Sequence, residues 1–482
     1  MCTEGQEERK RNSESFTSNC KKRRTCRESE MAEEDCDHQT RPLMEIHSHS
    51  HSHQPETNLA LVGQSSDESN YGEDLVHLRD HIASSPVIMC GIFRHLAPAD
   101  KRSAALVCRR WRTLLEQSCY WAWAETRMSR RDFAQKFKSP RVRNIGSVRL
   151  DVSEVQIRKF FSSVQDFRMT KLDVGYVNLS SISPLVLSGL VTSLEELKLC
   201  LCRLQPEQVT SIFTAASETD RLRLRSLSIN FTDLSSVPAS LLSQAVVRLV
   251  TVNLWLCRLS AGQVQTIFKT ISDTPDLTLR NLTLNPTDFS VVPPNILSKA
   301  ILRLETVNLN YTELSPEQLR SLCEDVAASK DLKLRTLQLS STSLASVSGD
   351  CLARAVVRLE RADLYNTSLS PHQLEAVFNT ILHTPDLRLT SLHIGGNGLS
   401  FLCPAVLSQA ILRLQEVKLK DTRLTQDQVN AVFRTFVESQ GETERCLHIG
   451  GKEFATVSQD ILSLAENKLA HCDLSKTWYL KG

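Results

Sequence analysis

Several groups of residues in this chain have types that could do chemistry. His47, His49, His51 and His53 alternate with serines, and histidine-rich tracts bind metal ions. No cysteine or carboxylate stands beside them at a zinc-site spacing, and a short polar tract supplies no fixed coordination geometry. The 15 cysteines are odd in number and scattered, without a C-x-x-C pair. Cys202 and Cys257 occupy apolar positions of a repeated pattern, so the cysteines read as reduced thiols acting as small hydrophobes. Gly450-Gly451-Lys452 lacks the earlier glycine and the following hydroxyl of a phosphate-binding loop. G-x-S-x-G and H-E-x-x-H do not occur. Asp363 and His393 fall at matching positions of neighbouring repeats and are expected to touch, with no nucleophile placed beside them. These patterns point away from catalysis, with no cofactor and no metal expected, and towards binding.

The elements that would position binding residues are written as one repeated stretch. Leu279 to Phe289 reads L-x-x-L-x-L-x-x-T-x-F. Steps of 55 residues from Leu282 reach Leu172, Leu227, Leu337, Leu392 and Leu447. A second set with the same step interleaves: Leu197, Val252, Val307, Ala362 and Val417. Units of 25 and 30 residues therefore alternate, and Val148 in front with Cys472 behind bring the signatures to about 13. This is the signature of a leucine-rich repeat, which predicts an α/β solenoid with parallel strands and outer helices. Helix starts are explicit in the longer units. Ser260-x-x-Gln263, Ser315-x-x-Gln318, Ser370-x-x-Gln373 and Thr425-x-x-Gln428 are capping boxes, and Pro316 and Pro371 take the first helical position. Thr, Cys or Asn recurs at the ninth position (Cys202, Cys257, Thr287, Thr312, Thr342, Thr367, Asn397, Thr422), where it can serve open turn groups. Wide helices against closely spaced strands predict a horseshoe, similar to the ribonuclease-inhibitor class of repeats.

Side chains between the leucines face the opposite side of the sheet. In the middle of the array they are uncharged amides and hydroxyls, among them Ser340, with Trp255 on that floor and Phe231 and Tyr311 one residue nearer the turns. Large aromatics beside polar groups are the usual make-up of a protein-binding hot spot. Trp255, Tyr311, Asp363, Tyr365 and His393 are the expected contacts to a target protein.

Ahead of the repeats, residues 1–80 are rich in Ser, Glu, Lys, Arg and His, a composition expected to be disordered. Lys21-Lys22-Arg23-Arg24 reads first as a solvated charge cluster, with a nuclear localisation signal as the alternative. Composition shifts at Ile82. Met89, Ile92, Phe93 and Leu96 fall on one helical face, Pro98-Ala99-Asp100 breaks the run, and Ala104, Ala105, Val107, Cys108, Trp111 and Leu115 stripe a second helix. The run Ile92-Phe93-x-x-Leu96-x-Pro98-x-Asp100, then Leu106-Val107-Cys108-Arg109-Arg110-Trp111-Arg112 and Trp121, resembles the F-box. The Leu-Pro start of that family is replaced by Ser84-Ser85, with Pro86 displaced by one position.

The resemblance implies that these helices dock on the Skp adaptor of a cullin-based SCF ubiquitin ligase core. Pro86, Ile92, Phe93, Leu96, Pro98, Leu106, Val107, Trp111 and Trp121 would be the contacts. An F-box followed by leucine-rich repeats resembles substrate receptors of that ligase class. A plain repeat scaffold or inhibitor, its N-terminal helices only capping the solenoid, is the other reading.

The organisation expected is a tail (1–80), a helical module (81–130), a linker (131–144) and the solenoid (145–482). Net charge is +2, with 57 basic and 55 acidic residues, which points to neither nucleic acid nor membrane as a partner. The N-terminus lacks an apolar signal core, and no apolar run is long enough to span a bilayer. Cytoplasm or nucleus is the expected compartment. Only eight residues follow Leu474, so the last edge of the solenoid is expected to need a shield.

Overall fold

The computed structural model describes residues 89, 92–93, 96, 98–107, 109–115, 125–138, 146–284, 288–438 and 446–450, all within the unit Val76–Gly482. The N-terminal tail, the basic run, the histidine tract, Pro86, Trp121, Thr287, the Cys472 repeat and the last edge of the solenoid lie outside the described residues.

Met89, Ile92 and Phe93 are helical, and the helices α1 (Pro98–Val107) and α2 (Arg109–Leu115) follow them. Strand β1 (Glu125–Ser129) and the short α3 (Phe133–Phe137) follow, then β2 (Ser147–Asp151), α4 (Glu154–Phe161), β3 (Lys171–Gly175) and α5 (Pro184–Ser193). Strand and helix then alternate without exception: β4 (Glu196–Cys200), α6 (Pro206–Glu218), β5 (Ser226–Asn230), α7 (Ala239–Arg248), β6 (Thr251–Asn253) and α8 (Ala261–Asp273). The series runs on through β7 (Asn281–Thr283), α9 (Pro294–Leu302), β8 (Thr306–Asn308), α10 (Pro316–Ala328), β9 (Thr336–Gln338) and α11 (Gly349–Val356). The last described elements are β10 (Arg361–Asp363), α12 (Pro371–His383), β11 (Ser391–His393), α13 (Pro404–Leu412), β12 (Glu416–Leu419), α14 (Gln426–Glu438) and β13 (Cys446–Ile449).

Among the described residues, 13 strands form one sheet in strict sequence order, every described pairing parallel. A parallel step needs a crossover, here a helix, and crossovers of one hand put the helices on one face of the sheet. The register carries the repeat: Leu227 opposes Val252, Val252 opposes Leu282, and Leu282 opposes Val307. Those residues are buried beside Val264, Ile267 and Phe268 from the helices, and each repeat completes the core of its neighbour.

The expected strands from Val148 to Leu447 all form, and β1 is an addition to them. β1 pairs Thr126 with Val148 and Met128 with Leu150, so the sheet begins inside the stretch assigned to the helical module. Its sequence, ETRMS, contains no leucine, and only Met128 is fully buried. Helix α3 lies in the stretch read as a linker. Its Phe137 packs on Phe167, which packs on Phe160 of α4, closing the first turns of the solenoid with aromatic rings.

Three hydrogen-bond devices repeat along the array. The capping boxes at Ser260, Ser315 and Ser370 form as expected, and the Thr425–Gln428 hydrogen bonds reproduce the fourth. Ser153–Gln156 and Gln205–Gln208 add two boxes that the spacing had not singled out. Each longer-unit Gln also reaches back: Gln318 Nε2 donates to Phe289 O and Val292 O, both at 2.7 Å. Ninth-position residues serve turn carbonyls, as when Thr312 Oγ1 donates to Leu309 O (2.6 Å), Thr367 Oγ1 to Leu364 O (2.9 Å) and Asn397 Nδ2 to Leu364 O (2.8 Å). Finally Arg248, Arg303, Arg358 and Arg413 close the C-terminal ends of the preceding long helices. Arg303 donates to the carbonyls of Ile271, Ser272, Thr274 and Pro275. Open carbonyls at a helix end favour a cation, and a guanidinium fork serves several at once.

Candidate functional site

The face of the sheet away from the helices is built by strand alternation. In β6 to β9 the central residue of each triplet is buried and its neighbours are half-exposed. From β5 to β9 those outward neighbours carry no formal charge. The floor is tied to itself: Asn281 Nδ2 donates to Thr251 Oγ1 (3.0 Å), and Asn310 Oδ1 accepts from Ser340 N (2.7 Å). Ser340, expected to face solvent, is buried instead, because its hydroxyl turns to Asp363 Oδ1 at 2.6 Å.

Charged residues flank this floor, and several pair with one another on the flanks. Arg149 reaches Asp173 at 3.6 Å, while Glu196 lies 3.3 Å from Lys171 and 2.9 Å from Lys198. Burial works to raise the Glu196 pKa, but the two lysines outweigh it and hold the carboxyl below its ordinary value. On the other flank Glu416 lies 3.3 Å from Lys418 and accepts from Ser391 Oγ at 2.8 Å, again with a lowered pKa despite burial.

Asp363, Tyr365 and His393 come together. His393 Nδ1 stands 3.1 Å from Asp363 Oδ1, as the matching repeat positions predict. The Tyr365 and His393 rings are 5.0 Å apart, and the Tyr365 hydroxyl donates to Asp421 Oδ2 at 3.3 Å. Asp421 belongs to this cluster, though nothing in the strand pattern pointed to it, because it lies in a turn. Trp255 stands four strands away, about 19 Å at ladder spacing, with its ring edge-on to Phe231 at 5.1 Å. Tyr311 lies in the turn after β8. The five expected target contacts thus form a cluster of three and two separate aromatics.

Cys202 and Cys257, the buried ninth-position thiols, donate to Val174 O and Ile229 O, and burial pushes both pKa values up to about 12. A thiol this reluctant to ionise is a packing group, not a nucleophile. No group of His, Cys, Asp and Glu suited to a metal ion occurs among the described residues. No helix among them is long and apolar enough to cross a membrane.

The N-terminal helices divide the other expected contacts by exposure. Phe93 is 1% exposed and meets Trp111 edge-to-face at 5.3 Å, with Leu96 packed against the same core. Ala104, Ala105, Leu114 and Leu115 are buried as well. Leu106 and Val107, in contrast, are 76% and 65% exposed, and Ile92 is 45% exposed. Phe93 and Trp111 therefore hold the helices together, and Ile92, Leu106 and Val107 supply the outward apolar surface. Pro98 opens α1 at a position where its missing N–H costs nothing.

Residues 86–123 match the F-box-like family. No relative was found among curated proteins. Similar solved structures include the leucine-rich repeat-containing protein LegL7 from Legionella pneumophila, with 18% identity, 64% of this chain and 92% of that one covered, and a TM-score of 0.33. Yeast Rad7, in complex with Elc1, is similar at 13% identity, with coverages of 81% and 94% and a TM-score of 0.41. An F-box-like segment at residues 86–123 thus stands ahead of the leucine-rich repeat solenoid described above.

Proposed function

We propose that this protein is a non-catalytic substrate adaptor of an SCF-type ubiquitin ligase. Its F-box-like helices engage the Skp adaptor on the cullin core, and the outward face of its sheet holds a target protein. Cytoplasm or nucleus is the compartment this role requires. The observation that carries the reading is the exposure of Leu106 and Val107 on a helix of the F-box-like segment, beside the buried Phe93, Ala104, Ala105 and Leu115. Apolar side chains left exposed beside a buried cluster are what a partner groove takes up. Trp255, Tyr311, Asp363, Tyr365 and His393 are assigned to the target. The adaptor contributes no reacting group; it raises the effective concentration of the target near the transfer enzyme.

The test uses the full chain and purified Skp adaptor. Leu106→Asp with Val107→Asp is expected to weaken binding at least about tenfold, the cost of truncating a hot spot, while thermal unfolding stays that of the unaltered protein. Phe93→Ala would not serve, because it empties the module's core. Failure of the unaltered chain to bind, or equal binding by the double variant, overturns the reading in favour of a scaffold whose first helices only cap the array.

A further inference from the structure

The long helices carry phenylalanine at one recurring position. Phe213, Phe268, Phe378 and Phe433 stand there, each at most 1% exposed. In α10 the same 55-residue step arrives at Cys323 instead. The short helices carry an aliphatic residue at another position, where Val186, Leu241, Ile296 and Val406 pack against the core. In α11 that position is Cys351. Both exceptions fall in one 55-residue unit, and they meet. Helix α10 packs on α11, the two cysteines are 4% and 6% exposed, and the Cys323 thiol donates a hydrogen bond to the Cys351 sulfur. Packing alone favours the larger apolar residues that every other unit has, since each cysteine gives up buried volume. Two such losses converging on one contact point to the chemistry of the sulfurs.

The two sulfurs are not equivalent. Cys351 lies in the first turn of α11, behind the N-cap Ser348, and the neighbouring Asp350 and Arg354 are exposed. The hydrogen bond from Cys323 holds the Cys351 pKa down and Arg354 assists, against the opposing effects of burial and Glu324. Cys323, in the middle of α10, is pushed up by that same hydrogen bond and by burial. Cys202 and Cys257 differ from both in donating to backbone carbonyls. The pair therefore divides into a sulfur that ionises near the surface and a protonated one held against it.

We infer that Cys323 and Cys351 form a reversible oxidation site, in which Cys351 attacks a peroxide and Cys323 closes a disulfide between α10 and α11. The Cys351 thiolate attacks one peroxide oxygen. An S–O bond forms, the O–O bond breaks, and the leaving hydroxide takes up a proton as water, so Cys351 becomes a sulfenic acid. The Cys323 thiol then gives up its proton and attacks the Cys351 sulfur. The S–S bond forms, the S–O bond breaks, and the hydroxyl leaves with that proton as a second water. The thiol pair loses the two electrons that the peroxide gains, and a dithiol reductant restores it by exchange. The new bond ties two consecutive repeats and closes the loop 323–351, which constrains the unfolded chain. This site stands apart from the ligase reading and survives its failure.

The test exposes the reduced full chain to hydrogen peroxide, blocks the remaining thiols with a maleimide and maps tryptic peptides without reduction. Peptides 321–330 and 336–354 each contain one cysteine, Cys323 and Cys351, so their cross-link identifies the bond. That link is expected to form at least about tenfold faster than Cys202 or Cys257 is oxidised, to disappear with dithiothreitol, and to leave the Tm unchanged or raised. Cys323→Ser should leave a sulfenic acid on Cys351 that dimedone labels, whereas Cys351→Ser should leave Cys323 unoxidised. A map without the link, a link no faster than oxidation of Cys202 or Cys257, or a Cys323→Ser protein unlabelled at Cys351 overturns the inference. A Tm lowered by oxidation does so too, because the bond would then form only where the packing has opened. Thermal unfolding of the reduced variants checks their fold, and the map of the unaltered protein decides the matter where a variant does not fold.

Discussion

The Asp363 carboxylate accepts hydrogen bonds from Ser340 Oγ and Tyr365 N and faces the His393 imidazole, groups drawn from three consecutive repeats. Burial alone would raise its pKa; the His393 contact, with Ser340 and Tyr365, overcomes that and holds it below the ordinary 3.8. A carboxyl with a lowered folded pKa adds stability that is fully present above its unfolded value and lost as pH falls through the folded one. Asp363→Asn should therefore lower the urea midpoint at neutral pH, and its deficit against the unaltered protein should shrink as pH drops below 3.8. Urea titrations from about pH 7 to about pH 2.5 measure this. A deficit that stays constant across the range would show that the carboxylate's charge contributes nothing.

A capping box is visible in sequence as Ser or Thr followed three residues later by Gln, but that spacing reports only the local half of what the glutamine does. Gln318 Oε1 accepts from Ser315 N at 2.8 Å, and its Nε2 closes two carbonyls of the preceding repeat. The side chain is buried, so its removal strands Ser315 N and Val292 O, while Phe289 O keeps its bond from Val292 N. Gln318→Ala is expected to cost about 2–4 kcal/mol, against about 1 kcal/mol for Ser315→Ala, which loses a cap and leaves the tie between repeats in place. Equal losses in urea unfolding would reduce the glutamine to an ordinary cap. The same reach explains why the Gln recurs every 55 residues at Gln208, Gln263, Gln318, Gln373 and Gln428. It joins each long helix to the turn of the repeat before it.

At the scale of the molecule, the strands from β2 to β13 were legible because each central position is an apolar residue forced inward at a fixed interval. β1 was not, since its one buried anchor, Met128, falls outside the repeat signature. Site residues on strands were placed by alternation, which is why the Asp363–His393 contact could be foreseen. Those in turns were not: Asp421, which the Tyr365 hydroxyl reaches, lies beyond β12, where the alternation has ended. Separation of Phe93 from Leu106 was likewise hidden, since a short apolar helix stripe does not say which edge meets its core.

A stack in which each unit touches mainly its neighbours has stability that sums local and nearest-neighbour contributions. Damage should accordingly stay near its source. Arg303, on the short-unit side, clamps four carbonyls at the end of α8, and a lysine in its place has no planar fork to reach them together. Arg303→Lys is expected to lose about 1.5–3 kcal/mol, the range for hydrogen bonds to a charged group. Amide exchange should accelerate in α8 and α9 and in the units beside them, while β2 to β4 keep their protection. Exchange that rises evenly from β2 to β13 would mean that the array unfolds as one cooperative body, and the nearest-neighbour account of this solenoid would fall.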